Sequence, residues 1–326
     1  MSYIDKSVKF RMGKWYFQKY PSNLELDWEG CSLFGSDQRF LYLIEKLKNS
    51  GMKKNPGLIL DSGDHLNEKN LEFRINRLQK SHDFNLKEYP YVSHNRPYNR
   101  DYSILFPLSQ TYYRMVSEGG DLRQFHDKKN QIIWRGTASG FDSHLNPAHR
   151  FSNFETSIKQ VQRFIFVNKF SKTHNIKFLD FPLKWRNKFT KDTFRDFDLF
   201  LKNNPHALGE RLSWLQDICS YKYILNLEGY DWPSSLCQSL QSNSVTIATT
   251  PKWHNVLHFN LQPWKHYVPI KDDGSDLKDK LAWCKSNDKE CKKISDRSSE
   301  YMSQFTKDSE EQIQKKIFKK LHENRI

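Results

Sequence analysis

Residues 222–244 read KYILNLEGYDWPSSLCQSLQSNS, and this stretch decides the fold. Tyr223-Ile224-Leu225-Asn226-Leu227 is a short apolar run with the length and bulk of a buried parallel strand. Gly229 ends it, and the polar turn Tyr230-Asp231-Trp232-Pro233 leads to Ser234 and Ser235. These serines are placed to cap a helix whose inner face carries Leu236 and Leu240. Strand, glycine turn and capped helix together put free N–H groups at the carboxyl edge of a sheet. Open α/β folds bind anions and nucleotides at that edge. An ordinary βα turn has the same pattern, so these residues alone leave both readings open.

Working outward, Gln131-Ile132-Ile133-Trp134 is a second strand, followed directly by Arg135-Gly136-Thr137-Ala138-Ser139-Gly140. An arginine at a strand's carboxyl end, beside a glycine and hydroxyls, suits a diphosphate, because the guanidinium fork matches phosphate oxygens. Pairing of Arg135 with a buried carboxylate is the alternative. Asn146-Pro147-Ala148-His149-Arg150 opens a helix that is predicted to run to about Lys172. Ile176–Asp180, Val245–Ala248 and His266–Ile270 are further strands. Gly209–Tyr221 reads as a helix with Leu212, Leu215 and Cys219 inward, and Ser275 caps one carrying Leu277, Leu281 and Cys284. Asp196-Phe197-Asp198 has the letters of a metal-binding DxD motif, which needs a strand end. The flanking Phe194, Phe197, Leu199 and Phe200 have helical spacing, which makes the match a coincidence.

The run KYILNLEG, the paired serines, Ser242-Asn243-Ser244-Val245, Trp134-Arg135-Gly136 and the later LQPWKHYVPIK at 261–271 agree in order and spacing with a known family. The chain resembles glycosyltransferase family 90, from about Ile132 to Phe305. The resemblance implies an α/β, GT-B-like fold: two Rossmann-like domains facing a cleft, with a C-terminal helix returning to the N-terminal domain. The expected domains are 1–127 on the acceptor side, 128–305 for the nucleotide sugar, and 306–326 as the helix. Gly119-Gly120 and the Asp127-Lys128-Lys129-Asn130 turn mark the boundary by composition.

The resemblance also implies a sugar transferase using a UDP-hexose or UDP-pentose. Arg135, Gly136, Thr137, Ser139, Gly140, Arg150, Gly229, Asp231, Ser234 and Ser235 would surround the donor diphosphate. Arg150 matches a basic family position, with a surface cation as the other reading. Gly57-Leu58-Ile59-Leu60 is a strand running into Asp61-Ser62-Gly63-Asp64-His65, and Asp64 falls where the family has an aspartate resembling a general base. A solvated loop carboxylate is the alternative. The protein O-glucosyltransferases have an arginine after the glycine turn, where this chain has Ser235. That serine resembles the bacterial-type members, which implies a glycan or lipopolysaccharide acceptor, with inversion at the anomeric carbon. No metal or cofactor is expected beyond the UDP-sugar co-substrate.

The chain has 326 residues, 23 Phe, 15 Tyr and 9 Trp, enough bulky material for two cores. Its five cysteines are scattered, without a Cys-x-x-Cys, so neither a disulfide framework nor a zinc site is expected. No run reaches the eighteen or so apolar residues of a membrane span. The N-terminus MSYIDKSVKFRMGKWYF lacks a signal-peptide pattern, so a cytoplasmic place is expected, with peripheral contact at an anionic inner membrane face as a further reading. The net charge of +14 raises nucleic acid as a partner, but the basic residues are spread along the chain and no nucleic-acid motif accompanies them. A basic nucleic-acid module and an inactive glycan-binding relative are the rival readings. Walker, dinucleotide-fingerprint, zincin and hydrolase-elbow patterns are all missing, which disfavours those enzyme classes. The tail from Ile294 to Ile326 is helical, with a stripe of Ile313, Ile317, Phe318 and Leu321 expected to pack on the protein.

Overall fold

A computed structural model describes residues 3–19, 32–35, 58–62, 86–97, 103–106, 118–138, 154–179, 191–229 and 232–325, with single positions between. Strands are β1 Ser32–Gly35, β2 Ile59–Ser62, β3 Tyr91–Ser93, β4 Arg96–Pro97, β5 Ile104–Leu105, β6 Lys129–Gly136, β7 Asn175–Phe178, β8 Tyr221–Asn226, β9 Val245–Thr249, β10 Trp253–His254 and β11 Val268–Ile270. Helices are α1 Tyr3–Met12, α2 Phe154–Gln160, α3 Gln162–Phe170, α4 Lys191–Asn203, α5 Ser235–Gln241, α6 Leu277–Ser286, α7 Asp288–Met302 and α8 Lys307–Glu323.

The chain divides into two compact units, one of Met1–Tyr112, Pro251–Asn260 and Gln304–Ile326, the other of Tyr113–Thr250 and Leu261–Ser303. The division falls at 112/113 rather than 127/128. Asp121 explains why: its carboxylate takes the Lys128 ammonium at 2.5 Å and the Asn243 N–H at 2.9 Å. Lys128 also donates to the Cys219 carbonyl and the Ser244 hydroxyl. The turn that reads as a boundary thus carries a buried ion pair, which ties together the amino ends of β6, β8 and β9.

The first unit holds a four-stranded parallel sheet in the order β1-β2-β3-β5 and the antiparallel pair β4–β10. α8 belongs to this unit and packs on α1. Ile313, Ile317, Phe318 and Leu321 are buried, Lys316 pairs with Asp5, and the Asn324 amide donates to the Trp15 carbonyl at 2.9 Å. The terminal helix therefore returns to the N-terminal unit, as expected. No helix among the described residues is long and apolar enough to cross a membrane.

The second unit is built on a parallel sheet ordered β7-β6-β8-β9-β11. This is a doubly wound order, with the chain reversing direction across the sheet between β6 and β8. Register pairs Ile132 with Tyr223, Tyr223 with Val245 and Leu225 with Ile247, so these side chains share one face. They join Trp134 and the aromatics Phe154, Phe164, Phe178 and Phe197 in a single core. The opposite face carries Ile133 and Ile224 against Ile218 and Trp214, and Thr246 against Ser239 of α5. Burial on both faces is why these strands read as continuous apolar runs instead of alternating ones.

Local expectations changed in three places, and one held. Of the long helix predicted from 146, the described residues form two helices, broken where Val161 takes an extended conformation (φ −89°, ψ 118°). Gly209–Tyr221 is not a helix: Leu208 bridges to Phe178, and the Ser213 N–H bonds the Asp217 carboxylate to form a turn. Leu212 and Leu215 are half-buried there, while Cys219 is fully buried. Ser275 does not cap α6, because Asp276 is its cap residue and bonds the Lys271 N–H instead. Asp196-Phe197-Asp198 lies within α4, with Phe197 in the core and Asp198 exposed. The sequence also has helical spacing at 38–47 and 108–115, and both lie outside the described residues apart from the helical Glu45.

Candidate active site at the strand switch point

Where a parallel sheet reverses its strand order, the loops after the two central strands diverge and leave a crevice. In the second unit that crevice lies after β6 and β8, and it is lined by Gly136-Thr137-Ala138 and Leu227-Glu228-Gly229. Two of the predicted segments, the loop after Trp134 and the glycine turn after β8, are thus brought side by side. Ser139, Gly140, Arg150, Asp231 and, in the first unit, Asp64 lie outside the described residues.

Arg135 follows Trp134 along β6 and points to the opposite face of the sheet. Its guanidinium donates to the Trp134 and Asn175 carbonyls at 2.9 and 3.1 Å, to the Asn175 side-chain oxygen at 2.7 Å, and to the Glu210 carbonyl at 3.3 Å. These partners aim it back toward the start of β7. Burial pulls its pKa down from the ordinary arginine value. Arg135 and Ser235 nevertheless line one cavity of about 150 Å³, together with Arg211, which the sequence reading did not single out.

The predicted serine cap is not made. Ser234 precedes α5 without a side-chain cap bond, and the Leu236 N–H is taken by the Pro233 carbonyl. The Ser235 hydroxyl instead donates to the Asn226 side-chain oxygen at 3.0 Å, which ties the helix start to the end of β8. Leu236 and Leu240 are buried as predicted.

Two residues missed by sequence reading stand over the crevice. Arg163, from the first turn of α3, donates to the Thr137 carbonyl and hydroxyl at 3.2 and 3.3 Å and to the Leu227 carbonyl at 3.4 Å. It lies over the Trp134 ring, 5.8 Å from the centroid. A Cβ at Gly229 would sit 2.7 Å from its Nη2, so a side chain there would displace the guanidinium. Next to it, Gln162 accepts the Glu228 N–H at 2.7 Å and donates to Thr249 and Asp272 at 3.1 and 3.3 Å. The available signal was the helix break at Val161, which no sequence pattern announces.

Two of the sequence landmarks lie at the other edge. Ser242-Asn243-Ser244 precedes β9 and binds Asp121 and Lys128. The LQPWKHY turn precedes β11: Trp264 takes a positive φ of 64°, its N–H donates to the Tyr267 carbonyl at 2.7 Å, and His266 Nδ1 accepts the Gln262 N–H. Both build the amino edge of the sheet.

The second unit is thus a doubly wound parallel α/β unit in which two loops meet at the switch point of the sheet. The profile of Glycosyl transferase family 90 matches residues 110–322. The chain belongs to that family. Its relatives include the human Protein O-glucosyltransferase 3, 35% identical over 100 residues, which are 29% of this chain and 19% of the relative. The Uncharacterized protein 027R of Frog virus 3 is 25% identical over 183 residues, 53% of this chain and 18% of the relative. The chain thus matches under a fifth of the length of either. Among solved structures, Anabaena Alr3699/HepE in complex with UDP-glucose aligns over 90% of this chain and 79% of its own, with a TM-score of 0.46 and 9% identity. TarM aligns over 82% and 54%, with a TM-score of 0.36 and 13% identity.

Proposed function

We propose that this protein is a glycosyltransferase that moves a sugar, glucose or xylose, from a UDP-sugar to a hydroxyl of a glycan or lipopolysaccharide, with inversion. One observation carries the reading: the family's Trp-Arg-Gly loop and its Glu-Gly turn meet at the switch point of the second sheet. Departure of UDP builds negative charge on the β-phosphate, so a cation and polar backbone there stabilise the transition state more than the ground state. Arg135, Gly136, Thr137, Ser139, Gly140, Arg150, Gly229, Asp231, Ser234 and Ser235 make up the donor side of this proposal. Asp64 is its general base, taking the acceptor's proton as the oxygen attacks. A divalent metal is not needed for this scheme, and contact with an anionic membrane face fits a lipid-linked acceptor.

Incubation with a panel of UDP-sugars, reading UDP release and thermal shift, tests the proposal. Release by the wild type, reduced about 10²- to 10⁴-fold in Asp64→Asn, supports it. No thermal shift with any UDP-sugar would remove it.

A further inference from the structure

We propose that Gln162 and Arg163 are positioning residues for the donor site: from one turn of α3 they hold the loops after β6, β8, β9 and β11 in a single arrangement. The proposal rests on the donor-site reading above.

Adjacent residues on a helix point about 100° apart, so two neighbours at a helix start placed over the loops can reach different ones. The break at Val161 provides this, because α2 stops at Gln160 and α3 starts afresh at Gln162 over the carboxyl edge. Gln162 is 7% exposed and spans three strands, through Glu228 after β8, Thr249 at the end of β9 and Asp272 after β11. Arg163 spans the remaining gap, from Thr137 after β6 to Leu227 after β8.

The residue types match the task. An amide both accepts and donates, so Gln162 takes the Glu228 N–H on its oxygen while its nitrogen serves Thr249 and the Asp272 carboxylate. A carboxylate at 162 keeps the first bond, holds Thr249 only if that hydroxyl turns to donate, loses the bond to Asp272, and faces that carboxylate at close range. The guanidinium fork of Arg163 bonds two loop carbonyls at once, which a lysine ammonium on a flexible stem does not reproduce. These bonds join loops rather than strands, and the core beneath is aliphatic and aromatic. Their main effect is to fix, before the ligand arrives, loops that would otherwise be ordered on binding. Such preorganisation appears as ligand affinity and as geometry at the reacting atoms.

The test is UDP titration by calorimetry of wild type, Gln162→Glu, Gln162→Ala and Arg163→Lys from pH 5 to 8, with thermal melting and UDP-sugar turnover on each. At pH 8 each variant is expected to bind UDP about tenfold or more weakly, each lost bond being worth about a factor of ten or less. The KM for the donor should rise in step. Gln162→Glu should regain affinity relative to wild type as the pH falls and its carboxyl, raised by Asp272, takes up a proton and can donate again. Gln162→Ala should show no such recovery. Failure of the wild type to bind UDP would overturn the donor-site reading itself. Wild-type binding with unchanged affinity in the variants would overturn only the positioning role. So would a loss in Gln162→Glu that tracks melting temperature and shows no pH recovery.

Discussion

Arg135 and the buried histidines show how side-chain surroundings decide a role that residue type leaves open. Arg135 gives its donors to Asn175 and to three carbonyls, so its removal leaves part-buried acceptors without that partner. Arg135→Ala is expected to cost about 1–3 kcal/mol in chemical denaturation. A fall in UDP affinity larger than this stability loss explains would put its guanidinium on the ligand, as the donor-site proposal requires. His254, His258 and His266 are held neutral chiefly by burial, with pKa values lowered to about 4, about 3 and about 4. Arg96 adds to the effect at His254, His254 at His258, and Lys265 and Arg297 at His266. An unfolded chain takes up these protons near the ordinary pKa of about 6.5, so stability is full above that pH and is lost as pH falls toward 4. Unfolding free energies measured from pH 7 to 4 should fall by an amount on the order of several kcal/mol, each pKa unit being worth about 1.4. His258→Gln should flatten the slope; a flat wild-type profile would contradict the burial argument.

At the level of elements, α8 shows how a charged tail becomes structural. Its N-terminus is capped reciprocally: Thr306 accepts the Ser309 N–H at 3.1 Å and Ser309 accepts the Thr306 N–H at 3.0 Å. Its apolar stripe is buried, while Lys315, Lys316 and Lys319 stay in solvent. Thr306→Ala should cost about 1 kcal/mol. Ile317→Asp, which buries an unpaired charge, should cost more than 3 kcal/mol. Equal melting temperatures for Ile317→Asp and wild type would mean the stripe does not bear the load that burial implies. The stripe was legible because a 3.6-residue period survives in any packed helix. α3 was not legible in the same way: the interruption at Val161 is a backbone conformation, and nothing in the letters KQVQRF around it reports φ and ψ.

For the whole molecule, the two edges of the second sheet divide the work. Lys128, Asp121, Ser244 and the Trp264 turn brace the amino edge, whereas Thr137, Gly229, Gln162 and Arg163 gather at the carboxyl edge. UDP at a hundred times its Kd should stabilise the protein by about 2.7 kcal/mol. Amide exchange should slow at 136–138 and 227–229; slowing confined to the amino edge would relocate the ligand. The sequence by itself determined the strands of the second unit, its family and the terminal helix, because apolar runs, small-residue turns and helical periods are local chemistry. Only the tertiary structure decided that Lys128 is buried, that Arg135 faces away from Arg163, and that two of the family's landmarks brace the far edge of the sheet. Each of these depends on which strand ends lie side by side, and that is settled by packing between segments far apart in the chain.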